Sequence, residues 1–268
     1  MRIPFTKAHG AKNDFLLTPA GDAPATDLAS AARAICNRNT GVGADGWMLV
    51  EAAPPPGAAH DARIRLFNAD GSEPEISGNG TRCAAASLME QGFPKGEIRI
   101  LTGAGVKHLR LVERSALRFI FEMNMGRPSC LPEHLRFALP LREGPRQVTI
   151  LNVGNPQCAV FVEDFDFDWP RLGAEIEAHP YFPHRANVSF VRVLDRHTVD
   201  VRFFERGAGV TMSSGTGATG AAAAAVLRGL AASPVRVETP AGALDLRWDD
   251  MIYLVGPAEI VARGEFFL

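Results

Sequence analysis

The chain has no paired-cysteine motif, no long apolar run, no block of like charge and no leader-like start. Its 268 residues include 4 cysteines: Cys36, Cys83, Cys130 and Cys158. They lie far apart with no CxxC pair, which argues against a zinc cluster or a thioredoxin-type dithiol and fits reduced thiols. No metal is expected. The longest apolar stretch, Ala221 to Leu227, is far short of the ~20 residues a membrane span needs. A net charge of −2, with Lys and Arg scattered, gives no electrostatic reason to expect nucleic acid or an anionic membrane. The start, Met1 to Lys7, lacks the apolar core of a signal peptide, so a cytoplasmic location is expected. Low complexity is confined to residues 52–57, a surface loop by composition.

What the chain does have is one signature twice. Ser77-Gly78-Asn79-Gly80 runs into Thr81-Arg82-Cys83-Ala84-Ala85-Ala86. Ser214-Gly215-Thr216-Gly217 runs into Ala218-Thr219-Gly220-Ala221-Ala222-Ala223. The same offset, without a gap, pairs Arg65 with Arg202, Phe67 with Phe204, Gly92 with Gly229 and Arg99 with Arg236. It also pairs Thr102 with Thr239, Ala104-Gly105 with Ala241-Gly242, and Leu109-Arg110 with Leu246-Arg247. A register held over that distance implies a duplicated unit. Two domains follow: 1–117, with 257–268 returning to it, and 118–256.

Strand patterns dominate. The first half has 47–51, 62–67, 97–102, 106–113 and 117–123. The second has 147–153, 159–162, 188–194, 198–204, 235–238 and 244–248. Three helices are predicted: Asp27 to Asn37 with Asp27 as N-cap, Gly80 to Gln91, and Gly217 to Arg228. The last two end at Gly92 and Gly229, as helix C-caps do. Both are apolar nearly all round, which marks a buried helix. The fold class is therefore α/β (α+β). Each half is a curved, mostly antiparallel sheet or barrel wrapped around one central helix. Residues 126–146 read as the connection, and the apolar tail 264–268 as a last docked strand.

A glycine-rich turn at a helix start leaves backbone N–H groups pointing outward, and the helix dipole favours an anion there. Two such ends could hold one small carboxylate or phosphate. A residue at each N-cap would then be placed for proton removal and return. Serine is a leading N-cap residue, so capping alone accounts for either serine taken singly. Two stretches match GxGxxG: Gly41-Val42-Gly43-Ala44-Asp45-Gly46 and Gly215-Thr216-Gly217-Ala218-Thr219-Gly220. The first leads into a strand. The second has its preceding strand well upstream, near Phe204. Neither meets the strand–turn–helix requirement of a dinucleotide site.

In this order the motifs resemble the diaminopimelate epimerase family over essentially the whole chain. The carriers are His9-Gly10, Asn13-Asp14-Phe15, Gly41 to Gly46, Phe67 to Ser72 and Gly78 to Cys83. Gly154-Asn155-Pro156, Asn187-Val188, Glu205-Arg206-Gly207, Gly215-Thr216-Gly217 and Gly256-Pro257-Ala258 complete the set. The resemblance implies two pseudo-symmetric domains with a cleft between them. It also implies cofactor-independent interconversion of LL- and meso-diaminopimelate, a step of lysine and peptidoglycan-precursor biosynthesis. The partner is then a small amino-acid substrate, and the assembly a homodimer. By the same resemblance, the backbone of Gly78-Asn79 and Gly215-Thr216 holds the α-carboxylate. Asn13, Asn68, Asn155 and Asn187 supply amide hydrogen bonds. Glu205 and Arg206 read the far ammonium and carboxylate, a chemistry those side chains suit. Glu205 also orients the second catalytic group.

The chain departs from the family at the chemistry itself. The catalytic positions, cysteines in the family, are Ser77 and Ser214. The family's histidine after Gly-Asn-Pro is Gln157, and the glutamate before Thr211 is Val210. A thiol has a reference pKa of ~8.5, lowered at a helix N-terminus. A hydroxyl is a far weaker acid and needs a neighbouring base; Glu205 is the one matched helper. Three readings follow: an epimerase or racemase with serines at the acid/base positions, a non-catalytic amino-acid-binding relative, and an isomerase or lyase using Asp45, Asp70 or Glu205 as base.

Overall fold

A computed structural model describes residues 1–25, 27–52 and 57–268. The core of the expected surface loop, 53–56, lies outside the described residues. The chain divides into two compact units, Met1–Asn124 with Val255–Leu268, and Met125–Leu254.

The first unit contains β1 (Arg2–Gly10), β2 (Asn13–Pro19), α1 (Leu28–Cys36), β3 (Gly46–Ala52), β4 (Ala62–Asn68), α2 (Gly78–Glu90), β5 (Glu97–Thr102), β6 (Gly105–Ser115) and β7 (Arg118–Gly126). The second contains β8 (Phe137–Leu139), β9 (Arg146–Asn152), β10 (Pro156–Phe161), α3 (Trp169–Glu177), β11 (Asn187–Asp195), β12 (Thr198–Glu205), β13 (Gly209–Thr211), α4 (Gly215–Leu227), β14 (Val235–Glu238) and β15 (Leu244–Trp248). The last strand, β16 (Ile252–Phe267), returns to the first unit and pairs with β1.

Each unit is a mixed sheet in which most neighbours are antiparallel. In the first, β2–β3 and β4–β5 are the parallel pairs. In the second they are β10–β11 and β12–β14. A parallel pair needs a long crossover, and these four crossovers contain α1, α2, α3 and α4. The mostly antiparallel sheet around a central helix is thus present in both units.

The two central helices carry the duplication atom by atom. Residues Gly78 to Met89 of α2 and Gly215 to Ala225 of α4 are all buried. Both helices stop on the same pair of backbone bonds. Phe93 N donates to Leu88 O and Gly92 N to Met89 O; Leu230 N donates to Ala225 O and Gly229 N to Val226 O. This is the Schellman pattern, and it needs the left-handed φ that Gly92 and Gly229 adopt. The following turns match as well. Thr102 Oγ1 donates to Gly105 O at 2.8 Å, and Thr239 Oγ1 to Gly242 O at 2.6 Å.

The outer helices each cap one core. Asp27 accepts from Ala29 N and Ser30 N, and α1 buries Ala31, Ala32, Ile35 and Cys36 against Trp47, Leu49 and Phe67. Asp168 accepts from Arg171 N, with Pro170 in the first turn, and α3 buries Ile176 among Val160, Val188 and Phe190.

Several elements differ from the sequence expectation. The central helices begin two residues earlier, at Gly78 and Gly215, because the serines themselves are the caps. The strands β1, β2, β8 and β13 and the helix α3 were not anticipated, and β16 is much longer than its apolar tail. The strand β13 lies just upstream of the second glycine turn, but it is a three-residue antiparallel partner of β12. It is not the parallel strand of a dinucleotide fold. Among the described residues, no helix is long and apolar enough to cross a membrane.

Trp47 is fully buried and its Nε1 donates to Thr18 Oγ1 at 2.9 Å; that hydroxyl donates to Pro4 O at 2.8 Å. Thr18→Val keeps the shape and strands both partners. Equilibrium urea unfolding should show a loss of about 1–3 kcal/mol, which Thr18→Ser should largely restore. An unchanged midpoint in Thr18→Val would refute this role.

Candidate active site

In the first unit, Ser77 sits in extended backbone as the N-cap of α2, and its Oγ accepts from Gly80 N at 3.1 Å. In the second, Ser214 caps α4 in the same way, accepting from Gly217 N at 3.0 Å. Such a cap contributes ~1 kcal/mol. The glycine being capped is closely packed: a side chain at Gly217 would meet the Phe203 ring, and one at Gly80 would displace the end of Met48. A Cβ at Gly80 would lie 2.7 Å from Met48 Cε, and one at Gly217 2.8 Å from Phe203 Cδ1. Close packing thus fixes both serine Oγ atoms at the open end of a helix dipole.

Beyond the caps the two serines differ. Ser214 Oγ donates to Glu205 Oε2 at 2.8 Å, while Thr211 Oγ1 donates to Glu205 Oε1 at 2.6 Å. Hydrogen bonds to a carboxylate are the strong ones, at about 1.5–3 kcal/mol. Glu205 is therefore held as an acceptor for the Ser214 proton. Within the first unit, Ser77 Oγ has the N–H of Gly80 and no carboxylate.

Around Ser77, Asn13 and Asn79 come together: Asn79 Nδ2 donates to Asn13 Oδ1 at 3.1 Å, and both are buried. Asn68 is turned elsewhere. It ends β4, with its Nδ2 donating to Ser72 Oγ, and Asp70 accepts from the same hydroxyl. Around Ser214, Gln157 Nε2 donates to Asn155 Oδ1 at 2.7 Å, and Asn155 Nδ2 to Thr216 Oγ1 at 3.3 Å. Asn187 Nδ2 donates to Pro156 O, and its Oδ1 accepts from Arg206 N. Arg206 Nη1 donates to His184 O at 3.1 Å. Gln157 is itself buried, with Oε1 lacking a hydrogen-bond partner. It orients Asn155 and has no lone pair basic enough to replace a histidine.

Two features were not foreseen from the sequence. The first is a carboxylate pair. Asp14 and Asp45 begin β2 and β3, whose parallel register sets Phe15 beside Gly46. Arg38 Nη2 donates to Asp14 Oδ1 at 2.8 Å and Asp45 Oδ1 at 2.7 Å; Lys7 Nζ lies 3.1 Å from Asp14 Oδ2. Burial works against the Asp14 charge, but the hydrogen bonds from Arg38 and Lys7 outweigh it and lower its pKa. Burial and the Asp14 charge together raise that of Asp45. The second is Arg82, at 0% exposure. It lies in a motif quoted for its glycines, and an arginine in a helix reads as a surface residue.

No cysteine stands in for the missing thiols. Burial pushes Cys36 and Cys83 up to about 12, and raises Cys158 and Cys130 as well. Cys83 and Cys158 are fully packed. Among the described residues, no cluster of three or more His, Cys, Asp or Glu side chains is placed to hold a metal.

The fold is shared with other solved structures. The chain superposes on a hydroxyproline epimerase from Agrobacterium vitis with a TM-score of 0.73 at 15% identity, covering 98% of this chain and 90% of that one. It superposes on a phenazine biosynthesis protein of the PhzF family from Bacillus anthracis with a TM-score of 0.70 at 16% identity, covering 100% of both. Family membership comes from sequence. Residues 5–131 and 149–261 match the diaminopimelate epimerase family model. The chain is 40% identical to the diaminopimelate epimerase of Moorella thermoacetica over 98% of both chains. It is 35% identical to that of Halothermothrix orenii over 100% of this chain and 99% of the relative. The chain belongs to the diaminopimelate epimerase family.

The raised thiol pKa values and the burial give one direct test. At neutral pH the folded protein should react slowly with a thiol-specific reagent, and first at half-buried Cys130. Intact and peptide mass spectrometry read the order. Fast modification of Cys83 in the native state would mean that an accessible thiolate exists after all.

Proposed function

We propose that this protein is a cofactor-independent amino-acid epimerase acting on diaminopimelate, with Ser77 and Ser214 at the two proton-transfer positions. The observation that carries the proposal is the Ser214–Glu205–Thr211 arrangement at the start of α4, set beside its duplicate cap at Ser77. In an epimerisation one group takes the α-proton and a second returns one. Backbone N–H groups at Gly78-Asn79 and Gly215-Thr216 would receive the α-carboxylate. Asn13, Asn155 and Asn187 would hold the rest of the substrate by hydrogen bonds from their side-chain amides, and Asn68 would join them on leaving Ser72. Glu205 and Arg206 would meet its distal ammonium and carboxylate.

The proton bookkeeping follows from Glu205. As the α-proton moves to Ser214 Oγ, the hydroxyl proton passes to Glu205 Oε2, so no free alkoxide is needed. A proton given by Ser77 leaves an alkoxide there, held by Gly80 N–H at the helix start until it is reprotonated, so the return on that face is the difficult half of the reaction. The reaction of this chain is therefore slow and lopsided compared with a two-thiol site. The amino-acid-binding reading draws on the same asymmetry: with Gln157 and Ser77 both lacking a base, tight binding without turnover is the alternative. A cytoplasmic location fits biosynthesis of this kind. The homodimer implied by the family resemblance is read by light scattering after size exclusion.

The test is α-proton exchange. LL- and meso-diaminopimelate are incubated with the protein in D2O and followed by NMR. Exchange should be faster for the isomer whose α-proton faces Ser214 than for the isomer whose α-proton faces Ser77. Glu205→Gln should cut this rate by about 10²-fold or more, as expected for a general base. Ser77→Cys with Ser214→Cys should raise it. Binding of both isomers with no exchange in any form would sink the epimerase proposal in favour of the binding one.

A further inference from the structure

The first unit contains a chain of four side chains, of which the proposed chemistry uses only the Asn13 amide. Arg82 Nη2 donates to Asn79 Oδ1 at 2.5 Å. Asn79 Nδ2 donates to Asn13 Oδ1 at 3.1 Å, and Asn13 Nδ2 donates to Asp45 Oδ2 at 2.7 Å. A cation stands at one end and a carboxylate at the other, joined through two amides that both point the same way.

The ends leave the amides no second orientation. Arg82 is fully buried, and its other bonds go to neutral backbone carbonyls, Pro257 O at 3.1 Å and Gly78 O at 3.4 Å. Guanidinium only donates, and an ionised carboxylate only accepts. Turning Asn79 over would set N–H against N–H at Arg82. Turning Asn13 over would set C=O against the Asp45 carboxylate. Either flip also breaks the bond between the amides, so the two are locked together. Asp45 is anchored independently by Arg38 Nη2 at 2.7 Å and by Asp14 N at 3.1 Å. An amide nitrogen has two hydrogens, and one on Asn13 is committed to Asp45. The carbonyl of Asn13 is turned inward to Asn79. The Asn13 nitrogen has one N–H left for a ligand, and its Oδ1, already accepting from Asn79, keeps only its second lone pair.

We infer that Arg82, through Asn79, and Asp45, directly, are positioning residues that hold the Asn13 amide in one orientation, so that its remaining N–H is presented as a hydrogen-bond donor to the substrate. The inference rests on the proposed role of Asn13 as a substrate-binding amide. It narrows that role: the substrate atom meeting that N–H is a carboxylate oxygen, not an ammonium nitrogen. It also gives a reason for a cation in the second turn of α2 that touches no carboxylate.

The relay is first read without substrate. In 15N-labelled protein, the side-chain NH2 signals of Asn13 and Asn79 are assigned by their loss in Asn13→Asp and Asn79→Asp. Asp45→Asn should shift the Asn79 signals and Arg82→Met the Asn13 signals, each through the amide between them. Signals that move only for the direct neighbour would overturn the relay. Binding is then read by calorimetry with meso-diaminopimelate. Asn79→Asp gives Arg82 a carboxylate directly but denies Asn13 its donor. It should weaken binding by about tenfold, the worth of roughly one hydrogen bond, with no fall in thermal midpoint. A purely structural role predicts the reverse: affinity following the midpoint. If Arg82→Met does not fold, Arg82→Lys serves in the NMR arm, where the lost reach should again move Asn13. If the unmodified protein does not bind meso-diaminopimelate, the proposed function fails, and the NMR arm still decides the relay.

Discussion

A helix buried on all sides has nowhere to send the N–H groups of its first turn except its own cap and whatever its open end faces. That constraint organises this protein twice. Sequences apolar all round, Ala84 to Met89 and Ala221 to Leu227, make α2 and α4 fit only inside a wrapped sheet. Wrapping removes water from the helix starts, so the first-turn donors must be met by protein or ligand. Ser77 and Ser214 each take one, from Gly80 and Gly217. The glycines are there because Met48 and Phe203 press on those positions. The same packing that closes each core thus leaves a set of preorganised donors at a fixed point, a carboxylate site that costs no reorganisation when filled.

Duplication made the two starts alike, and what surrounds each serine then set them apart. The first unit surrounds its serine with amides and, behind them, a buried guanidinium. The second places a carboxylate, Glu205, on its serine and clamps it with Thr211. A carboxylate accepting two hydroxyl hydrogen bonds can take up the Ser214 hydroxyl proton as that oxygen receives a proton from a C–H broken nearby. An amide network cannot. The direction in which a proton moves easily is written in these partners more than in the serines.

How much of this could be read in the sequence follows the range of the interactions. The caps, the glycine stops and the threonine turns are local, and the constant offset between the repeats exposed them. The burial of α2 and α4 showed in composition alone. The start of α3 was also local, Asp168 followed by Pro170, but only Ile176 and its neighbours give it an apolar face, too short a pattern to outweigh its charged surroundings. The rest is made by pairing across the chain. Asp14 and Asp45 meet because β2 and β3 lie parallel in one register. Arg82 reaches Pro257 because β16 comes back from the far end of the sequence to pair with β1. Glu205 reaches Ser214 because β13 folds back on β12 and carries Thr211 with it. None of these distances is encoded in a spacing.

Serine at both caps also changes the balance between stability and chemistry. Oxygen is the better cap: serine ranks with aspartate and asparagine at this position, and substitutions that remove such caps cost ~1 kcal/mol. A thiolate at a helix start accepts the capping N–H less well but is by far the stronger base available near neutral pH. A site with two cysteines therefore holds its helices a little less firmly for the sake of two reactive groups, as functional positions commonly do. This chain has the opposite arrangement, two firm caps and one carboxylate-assisted hydroxyl. A carboxylate grip of the kind proposed would depend on backbone N–H groups and would lose nothing by the exchange. Proton transfer at the proposed positions would depend on side-chain acidity and would lose most of its driving force, except where Glu205 restores part of it.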